Sequence, residues 1–214
     1  EMKKIMAVLC ESKPDGSPRY VCAPIARFAY NTGMRIGELI ALKWENVYLD
    51  KEPPYITVNS HAVMVSKSEA EREKKKSAPK GAASKDKYVL KVIDGAKTSS
   101  GERVIPLNSR TLEILESQKE KSPSMCGFVF RNTKGKAMSG TLITRSWHRA
   151  LTAAGISKGK IHGIHILRHT FATELVSRGG NIKNVADILG HKSARITMDY
   201  YLHPRVEDYA PTVA

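Results

Sequence analysis

Cysteine is scarce in this chain. Cys10, Cys22 and Cys126 are odd in number and far apart, which excludes a disulfide framework and a zinc knuckle. A reducing cytoplasm with buried thiols is expected instead. Long apolar runs are missing too. No stretch of about eighteen apolar residues occurs, so no membrane span is read. The first residues are charged and show no signal-peptide core. There is no cluster of carboxylates of the kind that holds two catalytic metals, and no internal repeat.

What the chain does have is positive charge. Its 35 Lys and Arg face 21 Asp and Glu over 214 residues, a formal net charge of +14. That excess favours a polyanionic partner, nucleic acid first. Hydrophobic residues make up 41 %, enough for a real core in one large or two small domains.

Residues 1–12 predict a short helix with Ile5, Val8 and Leu9 inward. After a Pro/Gly loop, Ser17-Pro18 predicts the cap and first turn of a second helix. It runs towards Tyr30 with Val21, Ile25, Phe28 and Ala29 as its buried stripe. Pro24 either kinks this helix or moves its start, and Gly33 ends it. Tyr55–Val65, Lys87–Ile93 and Arg103–Leu107 predict three β-strands. Between the first two, Ser66–Asp86 is charged and of low complexity. It reads as a solvated loop or hairpin insertion, with a lysine-rich finger over phosphates as the sharper alternative. Asn108 or Ser109 caps a helix to about Gln118, with Leu112 and Leu115 inward. Ser139 caps another, whose stripe is Leu142, Ile143, Trp147, Ala150, Leu151 and Ala154. Arg145 and Arg149 lie near that stripe, equally compatible with a solvated face or a ligand-facing one.

The richest stretch is Gly163–Pro204. Ile164, Leu167, Phe171, Leu175 and Val176 mark an amphipathic helix, on which His165 and Arg168 stand three apart and so are neighbours. Asn181 caps the next helix, and Gly190 supplies its left-handed stop. His191 is therefore held at a turn. A last short helix, about Ser193–Leu202, carries Tyr200 and Tyr201 and ends before Pro204. The composition throughout is α+β, mainly α, with one small three-stranded antiparallel β-sheet.

Three boxes together carry a resemblance. His165-x-x-Arg168-His169, Leu189-Gly190-His191 and Tyr201-x-His203 resemble the C-terminal box of the tyrosine recombinases, the phage-integrase family. Thr32-Gly33-Met34-Arg35-Ile36-Gly37-Glu38-Leu39 resembles that family's first arginine box. Lys97-Thr98 followed by Arg103-Val104-Ile105-Pro106-Leu107 resembles its lysine hairpin, with Lys97 at the tip between the second and third strands. The boxes occur in family order across nearly the whole chain. The resemblance implies a tyrosine-recombinase catalytic domain over residues 1–214, with the usual N-terminal core-binding domain absent from this chain.

It further implies site-specific DNA recombination or integration, as in mobile genetic elements, through a 3′-phosphotyrosine intermediate. Strand exchange is expected in a homo-tetramer on two duplexes, assembled from monomers at the bacterial nucleoid. The implied catalytic set is Arg35, Lys97, His165, Arg168, His191 and Tyr201. Each residue type suits its task. Transesterification to a side-chain oxygen conserves the bond energy, so rejoining needs no ATP. A free tyrosine has a pKa near 10, so its proton needs a base, His165. Arg35 and Arg168 offer forked donors to the non-bridging oxygens, and His191 adds one more. Lys97 protonates the leaving 5′ oxygen. Tyr201 is favoured over Tyr200 as nucleophile because it stands two residues before His203. Glu38 is read as orienting an arginine.

The histidines at 162, 165 and 169 invite a zinc reading. No Cys or acidic ligand accompanies them, and Arg168 beside the ion would be repulsive, so neither metal nor cofactor is expected. Two rival functions share the residues: DNA relaxation of the type IB topoisomerase kind, and a regulator that keeps the fold without the catalysis.

Overall fold

The computed structural model describes residues 1–66, 88–95, 102–122, 127–156 and 163–201, of which 88 and 199–201 in backbone only. Among them are eight α-helices: α1 (Met2–Leu9), α2 (Ala23–Thr32), α3 (Ile36–Ala41), α4 (Ser109–Glu120), α5 (Gly140–Ala153), α6 (His165–Ser177), α7 (Ile182–Leu189) and α8 (Ala194–Tyr201). The strands are β1 (Val47–Tyr48), β2 (Tyr55–Val58), β3 (Ser60–Ser66), β4 (Tyr88–Asp94) and β5 (Arg103–Pro106). The fold is α+β and mainly α, as expected.

The second helix starts later than Ser17-Pro18 suggests. Pro24 has no N–H to donate and is tolerated only in a first turn. The helix accordingly begins at Ala23, with Pro24 inside that turn. Val21 then precedes the helix and is 52 % exposed rather than part of its stripe. Ile25, Phe28 and Ala29 are buried as expected. Gly33 ends α2 at φ +66°, its N–H bonded to the Ala29 carbonyl. Cys10 is exposed, contrary to the expectation of buried thiols, while Cys22 is buried.

The strands pair differently from the sequence reading. Tyr55–Val65 is two strands, not one, and they have different partners. β2 pairs antiparallel with β5, from Tyr55↔Pro106 to Val58↔Arg103, and with the short β1, so the three-stranded sheet runs β1-β2-β5. β3 pairs with β4 alone, from Ser60↔Asp94 to Ser66↔Tyr88. Asn59 is the branch point. Its carbonyl accepts from Gly95 N–H at 2.7 Å and its side-chain amide donates to Asn46 Oδ1 at 2.9 Å. β4 and β5 are therefore not a hairpin. The expected pairing of these two strands is thereby corrected, while Lys97, expected at the tip between them, lies outside the described residues, as does most of the charged insertion.

Asn108, rather than Ser109, caps α4, accepting from Thr111 N–H at 3.0 Å. In α5 the buried positions are Ile143, Ser146, Trp147, Ala150 and Leu151, whereas Leu142 is 40 % exposed. A stripe centred on 143, 147 and 150 leaves residue 142 one helical step outside. Arg145 and Arg149 are exposed. Most helices and the sheet share one core, with Trp147, Phe28 and Phe130 as its largest fully buried side chains. A second, smaller core joins α6 to α7 through Ala172, Val185 and Leu189.

Two glycines bring elements into close contact. A Cβ on Gly37 would lie 2.8 Å from the Ala62 carbonyl oxygen, so α3 sits hard against β3. A Cβ on Gly33 would lie 2.4 Å from Phe171 Cδ1, so the end of α2 abuts α6. The second of these approaches brings together segments more than 100 residues apart in the chain.

Candidate active site

The site is built where three helix ends converge: the turn after α2, the start of α6 and the turn after α7. Arg35 is the N-cap of α3, in extended conformation. Its backbone N–H donates to Glu38 Oε2 at 2.8 Å, and its Nη1 donates to Glu38 Oε1 at 3.0 Å. Its Nη2 donates to the Gly190 carbonyl at 3.2 Å. The arginine that opens one helix is thereby tied to the glycine that ends another.

Arg168 performs the same task from below the surface. It is 8 % exposed. Nη1 donates to the Gly33 carbonyl at 2.7 Å and Nη2 to the Leu189 carbonyl at 2.6 Å. Both acceptors lie at helix C-termini, where carbonyls lack helical partners and the backbone dipole favours a cation. One guanidinium thus joins the ends of α2 and α7.

Arg103 is a third arginine at this junction, a residue that the strand pattern alone marks only as part of β5. Its Nη2 and Nη1 donate to Glu38 Oε2 and Oε1 at 2.8 and 3.1 Å, and its Nε donates to the Ile188 carbonyl at 2.6 Å. The Arg103 and Glu38 side chains are 5 % and 8 % exposed. A signal was present: Arg103 is two residues from Ile105, so both share the inward face of β5. A charge on a buried strand face calls for a partner. Burial pushes the Glu38 carboxyl up, but the Arg103 bonds and charge, with those of Arg35, outweigh it and hold the group below its ordinary value.

His191 follows Gly190, which ends α7 at φ +67°. Its Nδ1 lies 2.8 Å from the hydroxyl of Thr197 on α8. Burial, then the charges of Arg168, Arg35 and Arg103, push its pKa down to about 4, so the ring is neutral near pH 7. His169 is also lowered, by burial and by Arg168 and His165.

Arg35, His165 and His191 line one open cleft of about 610 Å³, together with His61 and Ala62 of β3, Lys192 and Ile196. Arg168 is not in the lining; it braces the two turns that form the floor. Of the six residues singled out from sequence, three line the cleft and a fourth underlies it. Tyr201 is the last residue of α8, four beyond Thr197, with its side chain outside the description. Lys97 and His203 lie outside the described residues. Among the described residues no group of three or more His, Cys, Asp or Glu is placed to hold a metal ion. No described helix is long and apolar enough to cross a membrane. His61 and Lys192, which line the cleft, and the buried Thr197, which backs His191 from α8, carry no spacing signal that points to the site.

The whole arrangement can be compared with known proteins. Residues 1–207 match the phage integrase family. The chain belongs to that family. It is 27 % identical over 188 residues to a tyrosine recombinase XerC-like protein of Caldanaerobacter subterraneus, covering 82 % of this chain and 44 % of that one. It is 27 % identical over 181 residues to the integrase of Staphylococcus phage L54a, covering 80 % of this chain and 45 % of that one. The chain thus spans about half the length of the curated relatives it matches. Its fold matches a Tn1549 transposon integrase in complex with circular intermediate DNA, at TM-score 0.72 and 20 % identity over 99 % of this chain and 64 % of that one. It also matches the XerH recombinase bound to a difH substrate, at TM-score 0.64 and 20 % identity over 100 % of this chain and 51 % of that one. The fold of this integrase-family chain is therefore that of tyrosine-recombinase catalytic domains.

Proposed function

We propose that the chain is the catalytic part of a site-specific DNA recombinase that cuts and rejoins strands through a tyrosine. The observation that carries this reading is the single cleft presenting Arg35, His165 and His191 over the brace made by Arg168. In the reaction, the Tyr201 phenolic oxygen attacks the scissile phosphorus and the bond from phosphorus to the 5′ oxygen breaks. His165 takes the phenol proton, and Lys97 gives a proton to the departing 5′ oxygen. The strand end left on the protein is a 3′-phosphotyrosine, and reversal with a new 5′-hydroxyl rejoins it without ATP. Arg35 and His191 donate to the non-bridging oxygens, each such donor worth roughly 10²–10³ in rate, and the positive charge of Arg168 beneath the cleft adds to their stabilisation.

Helical register supports Tyr201 as nucleophile. Four residues on from Thr197 brings the helix back to within about 40° of the direction of Thr197, whereas three residues leave it about 60° away. Residue 201 therefore shares the face of the helix that carries Thr197 to His191. The net charge of +14 supports DNA as the partner, bound chiefly through phosphates and hence with a steep fall in affinity as salt rises. Strand exchange takes place in a tetramer formed on DNA from monomers, at the nucleoid.

The test is a pool of nicked suicide duplexes with randomised core sequence, resolved under denaturing conditions. A covalent protein–DNA adduct that Tyr201→Phe abolishes supports the reading. Its absence, with DNA binding intact, would turn it into that of a non-catalytic binder. Adducts that lead only to relaxation of supercoils, and never to exchanged strands, would make it a topoisomerase.

A further inference from the structure

We propose that Thr197 is a positioning residue that fixes His191 as the Nε2–H tautomer, by donating its hydroxyl proton to Nδ1. The inference rests on the recombinase reading for its catalytic consequence, but its structural half stands without it.

Thr197 is 0 % exposed, and a buried hydroxyl left without an acceptor is destabilising. Most threonines in the helices here solve this locally. Thr32, Thr152, Thr170 and Thr173 each donate to the carbonyl four residues back, and Thr111 to that of Asn108. Thr197 makes no such bond: among the described residues its hydroxyl has one hydrogen-bond partner, Nδ1 of His191 at 2.8 Å. If Nδ1 carried the ring proton, two hydrogens would face each other, or the hydroxyl proton would have nowhere to go. With the Thr197 proton on the bond, Nδ1 is a bare acceptor and Nε2 carries the hydrogen of the neutral ring.

Three arginines surround the ring, and they with burial keep it uncharged. A neutral imidazole offers a phosphate oxygen a donor in only one of its tautomers. Free imidazole in water populates both. In this chain a residue six positions away on the next helix removes the unproductive one before DNA arrives. Thr197 also ties α8, the helix that ends at Tyr201, to the turn carrying His191. Nucleophile and donor are thus referenced to one hydrogen bond.

Nitrogen-15 NMR of the whole chain, without DNA, reads the tautomer directly, with the His191 signal assigned by its loss in His191→Gln. The expected spectrum has Nδ1 resonating as unprotonated and Nε2 as protonated, unchanged in Thr197→Ser. In Thr197→Val, which keeps the shape and removes the donor, the ring should shift to a mixture. The cleavage rate on the randomised suicide-duplex pool should then fall ten- to a hundredfold, with Thr197→Ser within about twofold of wild type and DNA affinity unchanged in both, a loss at or below the scale of one transition-state donor. A protonated Nδ1 in the wild-type chain overturns the proposal. So does a Thr197→Val variant with wild-type tautomer and wild-type rate. A wild-type chain that shows the Nε2–H signature but forms no adduct upholds the tautomer assignment and overturns the recombinase reading instead.

Discussion

Arg103 and Glu38, 65 residues apart, form a two-point ion pair in which both side chains are almost wholly buried, with Nη2–Oε2 at 2.8 Å and Nη1–Oε1 at 3.1 Å. The same carboxylate holds Arg35, which reaches the cleft. A buried charge aims a half-exposed one. Removing one partner of a buried ion pair typically costs about 3–5 kcal/mol. Glu38→Ala should therefore lower the unfolding free energy from urea melts by that amount, and Arg103→Met, which leaves the carboxylate with Arg35, should lower it by a similar or smaller amount. The double variant Glu38→Leu with Arg103→Met should recover part of the stability while leaving cleavage impaired, since Arg35 stays unguided. Stability losses that simply add would show that the pair is not coupled.

Acid should weaken the fold in two steps of the same sign. His191 has its pKa lowered from 6.5 to about 4. The unfolded chain takes up a proton there before the folded one does, so stability falls as pH drops from 6.5 towards 4. Glu38 has its pKa lowered from 4.5, so its contribution is complete above that value and is lost as pH falls through the lower folded one. Urea melts across pH should show the upper step shrink in His191→Gln, with the part due to His169 remaining, while the lower step persists. A pH profile unaltered by that substitution would rule the assignment out.

Gly33 and Gly135 give a matched comparison. Both have positive φ, +66° and +72°, where a side chain costs about 1–2 kcal/mol. Only Gly33 faces a neighbour, Phe171 Cδ1 at 2.4 Å from a Cβ, whereas Gly135 has nothing within 4 Å. Gly33→Ala should be clearly the more destabilising in thermal melts and should also slow cleavage, because the turn it opens carries the Arg168 acceptor and leads to Arg35. Equal losses in the two variants would mean that the close approach to α6 is not needed.

Arg168→Lys tests geometry against charge. A lysine keeps the cation but cannot span the Gly33 and Leu189 carbonyls, which the guanidinium reaches at 2.7 and 2.6 Å with two nitrogens. Cleavage should fall by roughly 10²–10³ with DNA affinity little changed, and hydrogen exchange should speed up at the C-terminal turns of α2 and α7. Wild-type exchange at both turns would separate the catalytic from the structural role of Arg168.

Local rules read much of this protein from its residues alone. Gly33 and Gly190 had to end helices because few other residues accept their backbone angles. Asn181 had to cap α7, and its side chain does accept from Lys183 and Asn184 N–H at 2.9 and 3.4 Å. Gly33 and Gly190 set Arg35 and His191 at turns and a helical step relates His165 to Arg168, but that these four act together was implied only by the resemblance of their boxes to those of the tyrosine recombinases. Such signals act within a turn or two, and the chain carries them in order. What the residue order did not reveal is who meets whom across the fold. Asn59 divides one apparent strand between two partners, Arg103 turns a strand residue into the anchor of Glu38, and Thr197 settles on His191 rather than on its own helix. Backbone periodicity is short-ranged, so it marks which face is buried but not which carbonyl, carboxylate or imidazole waits there. Those pairings were decided only when packing brought distant helix ends together and each buried polar group had to find a partner.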